Sequence, residues 1–207
     1  MIYLKLLIIY GLAYLFTNFC TLIITYININ DNDCIKFNRY NRLLICNIGS
    51  LLAILLYLFN NSILEFTVEI VFLIILIIIA YIDLKTHYIY DITSNLLLGY
   101  SVIVFVVKFI ICMPYLCTLI GIVFGYFIIF IFSKLKFIGQ GDLKIYLASF
   151  LLIDKSFLCP IILIIFSLGI SGFFGIIELI SRKITIESRR ALCPAIAIAV
   201  FIMMILT

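Results

Sequence analysis

The sequence predicts an all-α, polytopic membrane bundle of about eight transmembrane helices, of which the sixth is short. Of its 207 residues, 67% are hydrophobic and 12% are charged, and the mean hydropathy is +1.37. A soluble domain of this length could not hide so much apolar surface, because its outside would have to face water. The apolar runs are continuous and do not alternate with polar residues, which favours membrane helices over a β-barrel.

Eight apolar runs support this count, since about 20 residues cross the hydrocarbon core as a helix. The predicted spans are 2–27, 43–59, 66–82, 95–112, 117–132, 143–153, 156–180 and 190–206. The run 143–153 is either a short full span or a re-entrant piece. The first run is long and lacks a small-residue cleavage pattern, so we interpret it as a retained span and not as a signal peptide.

The distribution of basic residues predicts the orientation of these spans. Lys and Arg concentrate in the connections 28–42, 83–94, 133–144 and 181–190. With eight spans and both termini outside, all four connections are cytoplasmic, as the positive-inside rule requires. Seven spans would place the basic connection 181–190 outside. The net charge of +4 therefore reflects membrane topology, and we expect no binding to nucleic acid.

The seven cysteines predict no metal site. None of them forms a CxxC pair, the arrangement on which structural zinc sites normally depend. Most are interpreted as small buried apolar residues. Cys112 and Cys117 flank one short loop, and a disulfide between them is an open possibility if that loop is extracytoplasmic.

Residues 139–144 read Gly-Gln-Gly-Asp-Leu-Lys, which places the carboxylate of Asp142 behind two glycines at the edge of an apolar run. A second aspartate, Asp83, ends the third predicted span. A charge at bilayer depth is costly, so an ionisable residue near a span predicts a functional site. The eight-span topology returns the chain to the cytoplasmic side between the two, so Asp83 and Asp142 are expected at similar depth.

Two neighbouring carboxylates cannot easily both ionise, and such a pair shares a proton. The ionised member can activate water while the protonated member hydrogen-bonds a scissile carbonyl, which suits amide hydrolysis without a metal or a nucleophilic side chain. The alternative interpretation is that Asp83 and Asp142 only mark where helices leave the membrane, and that the glycines only allow close helix packing. The single histidine, His87, is interpreted as a solvated loop residue.

These motifs resemble the type 4 prepilin leader peptidase family of GxGD intramembrane aspartic proteases. Gly139, Gly141, Asp142 and Lys144 match the GxGD motif with its following hydrophobic residue and lysine. The segment 83–91 is similar to the family's first aspartate segment, with a tyrosine at position 90 in place of proline. The resemblance covers roughly residues 60–207. It implies Asp83 and Asp142 as catalytic residues, with Gly139, Gly141 and Lys144 as supporting residues.

Two further elements carry the resemblance. The Cys-Pro-Ala run at 193–195 is similar to the Phe-Gly-Pro-like opening of the family's last span, with cysteine in place of glycine. Gly121 and Gly125 also fit the family pattern. The N-terminal two-span region, 1–59, resembles the family less well, because its cytoplasmic loop is reduced to 28–42 and lacks the two zinc-binding CxxC pairs.

The resemblance implies an aspartic endopeptidase that removes the basic leader from type 4 prepilin-like precursors at the cytoplasmic face of the cell membrane. The expected partners are precursor helices and membrane lipid, and a homodimer is left open. Proteolysis needs no cofactor, and S-adenosylmethionine is expected only if the methyltransferase activity of full-length members is retained. The alternatives are a preflagellin-type or other pilin-like signal peptidase, a proton-coupled transporter that uses both carboxylates, and a catalytically dead relative that acts in assembly.

Overall fold

The computed structural model describes residues 2–27, 37–60, 62–112, 116–153, 156–180 and 191–206, and the regular structure in them is helical throughout. Eight helices follow one another along the chain. They are α1 (Ile2–Ile27), α2 (Arg39–Phe59), α3 (Ile63–Thr86), α4 (Asp91–Cys112), α5 (Leu116–Lys134), α6 (Gln140–Leu152), α7 (Cys159–Ile180) and α8 (Cys193–Leu206). The predicted all-α fold with eight helices is therefore confirmed.

Six of these helices are long and apolar enough to cross a membrane, namely α1 to α5 and α7. The chain is therefore a multi-pass membrane protein. The sixth helix is short, as predicted: its 13 residues rise only about 20 Å at 1.5 Å per residue. The eighth is also short, with 14 residues, because it begins at Cys193 and not at residue 190 as the apolar run suggested.

The third helix is the centre of the bundle. Of its most apolar stretch, 56% is buried, against 28% for α1, and Phe72, Leu73, Leu76 and Ile78 are fully enclosed. It packs against α8, α2, α4 and α1. A helix that is hydrophobic on all sides is typically buried. Its backbone groups hydrogen-bond within the helix, so its branched side chains can fill the core.

The third helix also continues beyond the predicted span end at residue 82. It runs to Thr86 and ends at His87, whose left-handed backbone (φ 53°) lets its N–H donate to the carbonyl of Asp83. Asp83 therefore lies inside the last helical turn, and does not follow the helix as the span 66–82 implied. A polar side chain does not by itself end a helix, because the backbone hydrogen bonds can continue past it.

The carboxyl end of α6 is stabilised by a lysine from α4. The Nζ of Lys108 donates to the carbonyl of Leu152 at 3.0 Å. A cation at a helix C-terminus satisfies carbonyls that have no partner within the helix and is favoured by the helix dipole, which explains how a short helix can end against the bundle.

Two glycines of α5 bring that helix close to the start of α7. A Cβ at Gly121 would lie 2.5 Å from the carbonyl oxygen of Phe157, and one at Gly125 would lie 2.6 Å from the Cβ of Pro160. Only the absence of a side chain permits this contact, as is common between membrane helices. Pro160 itself lies in the first turn of α7, where its missing N–H costs nothing.

Several predictions concern residues outside the described ranges. These include most of the loop 28–42 and all of the connection 181–190, so the predicted orientation of the bundle stays a prediction. Cys117 carries a free thiol, while the side chain of Cys112 lies outside the described set. The proposed division at residue 59 likewise stays a prediction.

Candidate active site

Asp83 lies in the last turn of α3, where its side chain is only 4% exposed. Its Oδ2 accepts a hydrogen bond of 3.0 Å from the backbone N–H of Cys193, the first residue of α8. The backbone of Leu192 also interacts favourably with the carboxylate. The first N–H groups of a helix have no partner inside it and carry the positive end of its dipole, so the start of α8 forms an anion-binding site that Asp83 fills.

Asp142 lies in the first turn of α6, whose N-cap is Gly139. It is the third residue of the helix, and its carboxylate accepts a hydrogen bond from the backbone of Gly139. This is the reach of a capping box, in which an acidic side chain returns to the N-cap N–H. The other oxygen, Oδ1, is buried and has no hydrogen-bond partner among the described residues.

The two carboxylates are brought together although 58 residues separate them in the sequence. The charge of Asp83 acts on Asp142, and both carboxylates act on the fully buried Cys193. The last turn of α3, the first turn of α6 and the first turn of α8 therefore meet at one point. From the sequence, Asp83 and Asp142 were expected at similar depth, and the structure places both near the start of α8.

The two glycines of the motif leave room for different neighbours. A Cβ at Gly139 would lie 3.1 Å from Oδ2 of Asp142, and one at Gly141 would lie 2.9 Å from the Cβ of Ile89. Gly139 has an ordinary extended backbone (φ −70°), so neither a turn nor strain requires glycine there. Gly139 admits the carboxylate, while Gly141 admits the segment between α3 and α4.

Lys144 does not contact the aspartate pair. Its Nζ forms an ion pair with Oδ1 of Asp91 at 2.7 Å, and the two side chains are 30% and 71% exposed. Asp91 is the first residue of α4, so this ion pair connects α6 to α4. The lysine of the motif thus orients α6 from its outer side.

Three groups near the aspartates were not anticipated from the sequence. The N–H of Cys193 and the backbone of Leu192 carry no side-chain signal, although the proline at 194 marks a helix start from which they could have been inferred. Tyr146, one turn after Asp142, is fully buried and shares a 2.6 Å hydrogen bond with Ser167 of α7. His87, in contrast, was interpreted from the sequence as a solvated loop residue; it is exposed and acts electrostatically on Asp83.

The part of the chain that the structure describes contains no group of three or more His, Cys, Asp or Glu side chains that could hold a metal ion. Two neighbouring carboxylates are suited to acid–base chemistry. Both carboxylates accept backbone hydrogen bonds, and Oδ1 of Asp142 has no hydrogen-bond partner among the described residues. Such a pair can activate a water molecule and polarise a carbonyl group placed between its members.

Part of the chain, including both aspartates, is similar to a known protein family. The sequence profile of the type IV leader peptidase family matches residues 70–179, which include Asp83, Asp142 and the two glycines of the motif at 139–144. Helices α1, α2 and α8 lie outside the match. Neither a curated protein nor a solved structure matches the chain significantly.

Proposed function

The chain belongs to the type IV leader peptidase family, and from this premise we propose that it is an aspartic endopeptidase that removes the basic leader of pilin-like precursors. Cleavage takes place at the cytoplasmic face of the cell membrane. The reaction is hydrolysis of a peptide bond by water, with Asp83 and Asp142 as the catalytic residues. Membership of the family makes the protein a leader peptidase-like protease, and the residues of the site support the finer assignment.

One observation carries the proposal: α3 and α6 each place one aspartate near the start of α8, where both carboxylates act electrostatically on the buried Cys193. Charges at membrane depth are expensive and are kept where they work. Two aspartates that only marked helix ends would not need to lie close together, because two negative charges repel each other strongly away from water. Their convergence is what a shared-proton pair requires.

The surroundings of the two residues favour different roles. Asp83 accepts hydrogen bonds from the amino end of α8, which suits the ionised general base that takes a proton from water. Asp142 keeps Oδ1 without a partner among the described residues, which suits the protonated acid that donates to the scissile carbonyl. As the tetrahedral intermediate collapses, the proton taken up by Asp83 passes to the departing amine.

The position of the pair fits a substrate that is itself a membrane helix. Asp83 lies within one turn of the end of a membrane-spanning helix, so the reacting bond would lie at the boundary between bilayer and water. The precursor's apolar helix would pack in the bilayer, and its basic leader would extend into the cytoplasm. The methyl transfer of full-length relatives is not part of this proposal, because the chain lacks their CxxC pairs.

The proposal is tested by incubating membranes that contain the protein with a pilin-like precursor and, in parallel, with a preflagellin-type precursor. Cleavage is measured as loss of the leader. We expect Asp83→Asn and Asp142→Asn each to reduce cleavage at least about a hundredfold, the lower range for general acid–base catalysis. The more rapidly cleaved precursor identifies the substrate class.

Glu65→Gln is the matched control. It also removes one carboxylate from α3, but at the exposed opposite end of the helix, and we expect it to cleave at the wild-type rate. Full cleavage by either aspartate variant, at equal expression, would show that the pair is not catalytic. Uptake of a proton-coupled solute that is lost in both variants, without any proteolysis, would instead favour the transporter interpretation.

A further inference from the structure

A second polar site lies between α1 and α2, away from the aspartate pair. It is a cavity of about 430 Å³ lined by Tyr14, Asn18, Phe37, Arg39, Arg42 and Leu43. All four polar lining side chains carry hydrogen-bond donors, and two of them are guanidinium groups. No acidic side chain is among the described residues that line it.

The arginines are placed where their charge is unfavourable. Arg39 and Arg42 lie in the first turn of α2, and no acidic residue lies in that turn. The positive end of the helix dipole repels cations there. The Nε of Arg42 is also buried and has no hydrogen-bond partner among the described residues. Both features indicate that the described residues around the cavity supply no anion to balance the charge of the two arginines.

The arginine side of the cavity lies near a membrane surface. Arg39 begins a helix of 21 residues that is long and apolar enough to cross the bilayer, and a span of that length puts its first residue at the membrane surface. The ring of Phe37, beside the cavity, lies 5.6 Å from that of Tyr81, two residues before Asp83. The cavity is therefore on the same side of the membrane as the aspartate pair.

We propose that this cavity binds the phosphate of an anionic membrane phospholipid. The planar guanidinium groups of Arg39 and Arg42 would receive the phosphate oxygens in paired hydrogen bonds. Tyr14 and Asn18 would donate from the facing helix, and Phe37 and Leu43 offer apolar contacts to the glycerol and the acyl chains. Basic pockets between membrane helices commonly bind lipid headgroups in this way.

The test is the thermal unfolding of the purified full chain in neutral detergent, with three separate additions. These are phosphatidylglycerol, a diacylglycerol with the same acyl chains, and inorganic phosphate. Because a ligand that binds only the folded state raises Tm, phosphatidylglycerol is expected to raise it and diacylglycerol is not. An equal saturating shift with inorganic phosphate would overturn the assignment to lipid and leave a soluble anion as the ligand.

Arg42→Gln and Arg39→Gln are expected to weaken the phosphatidylglycerol effect at least about tenfold in half-saturating concentration, since each removes a charge-assisted contact. Lys134→Gln, which removes one positive charge at the end of α5, should keep the full effect. Arg39 is exposed, so its variant tests the site even if Arg42→Gln does not fold. Arginine variants that respond like the wild type, or a diacylglycerol effect equal to that of phosphatidylglycerol, would overturn the proposal.

Discussion

Asp83 and Asp142 are the same residue type at opposite ends of their helices. Asp142 begins α6, where its negative charge is favoured by the dipole of its own helix, and it is bound by the N-cap of that helix. Asp83 ends α3, where the dipole of its own helix opposes a negative charge. It depends on another helix, because the first N–H of α8 donates to it from 110 residues away.

The difference teaches that the two carboxylates have different structural requirements. The position of Asp142 is local and is encoded by the run of residues at 139–142. The position of Asp83 is set by tertiary structure, through the docking of α8 on α3. Changes in α8 should therefore affect Asp83 first, and changes in the glycine motif should affect Asp142 first.

The largest effect short of removing an aspartate is expected from Cys193→Pro. Proline has no N–H and is well tolerated at the first position of a helix, so the change removes the hydrogen bond to Asp83 while keeping α8. A hydrogen bond to a charged group contributes about 1.5–3 kcal/mol, and we expect cleavage to fall roughly ten- to a hundredfold. The measurement is the initial rate of leader removal.

Cys193→Ala separates the backbone from the thiol. It keeps the N–H and shortens the side chain, so we expect cleavage within a few-fold of the wild type. If the alanine variant loses as much activity as the proline variant, the buried thiol and not the backbone donor supports Asp83.

Gly141→Ala is expected to have the next largest effect. Its new Cβ would meet Ile89 at 2.9 Å, whereas at Gly139 the nearest atom is the terminal oxygen of Asp142 at 3.1 Å. The carboxylate can shift by a few tenths of an ångström, but the branched side chain at Ile89 is buried and resists. Overpacking of this kind costs about 1–3 kcal/mol, so we expect cleavage and Tm to fall more in Gly141→Ala than in Gly139→Ala.

The matched control is Gly99→Ala in α4, where a new Cβ would have nothing within 4 Å. Because alanine is the better helix former, this variant should be as stable as the wild type or more so. A Gly99→Ala variant that loses as much as Gly141→Ala would mean that the bundle tolerates no added methyl group, and that the motif glycines are not special.

The smallest effect is expected from Lys144→Met. The lysine pairs with the exposed Asp91 and not with the catalytic pair, and an exposed ion pair contributes about 0–1 kcal/mol. We expect cleavage within about twofold to fivefold of the wild type, with an equal loss in Asp91→Asn. A loss as large as that of Asp142→Asn would contradict this structure and place the lysine in the reaction itself.

The sequence predicted the number of helices, and it predicts a similar depth for the two aspartates, because both follow from simple physical constraints. Apolar runs of sufficient length define membrane helices, and the number of spans between Asp83 and Asp142 decides whether they share a side of the membrane. Helix ends were less predictable. The third helix includes Asp83 and Lys85, since the backbone continues its hydrogen bonds past polar side chains.

The partners of the site residues were not predictable, because they depend on tertiary contacts. The sequence does not show that Cys193 faces Asp83, that Lys108 binds the carbonyl of Leu152, or that Lys144 reaches Asp91. Two of these contacts use a backbone group. Almost every residue carries the same backbone groups, so the sequence gives no signal for such a contact. The proline at 194 was the one available signal, since it marks the start of the helix that binds Asp83.

The most direct test of the central claim, that Asp83 and Asp142 act as one unit, is the cleavage rate of the Asp83→Asn/Asp142→Asn double variant beside both single variants. Residues that act as a unit are strongly non-additive. The account predicts that the double variant cleaves the precursor no more slowly than either single variant. A double variant slower than the wild type by the product of the two single effects would contradict it, because the two carboxylates would then act independently.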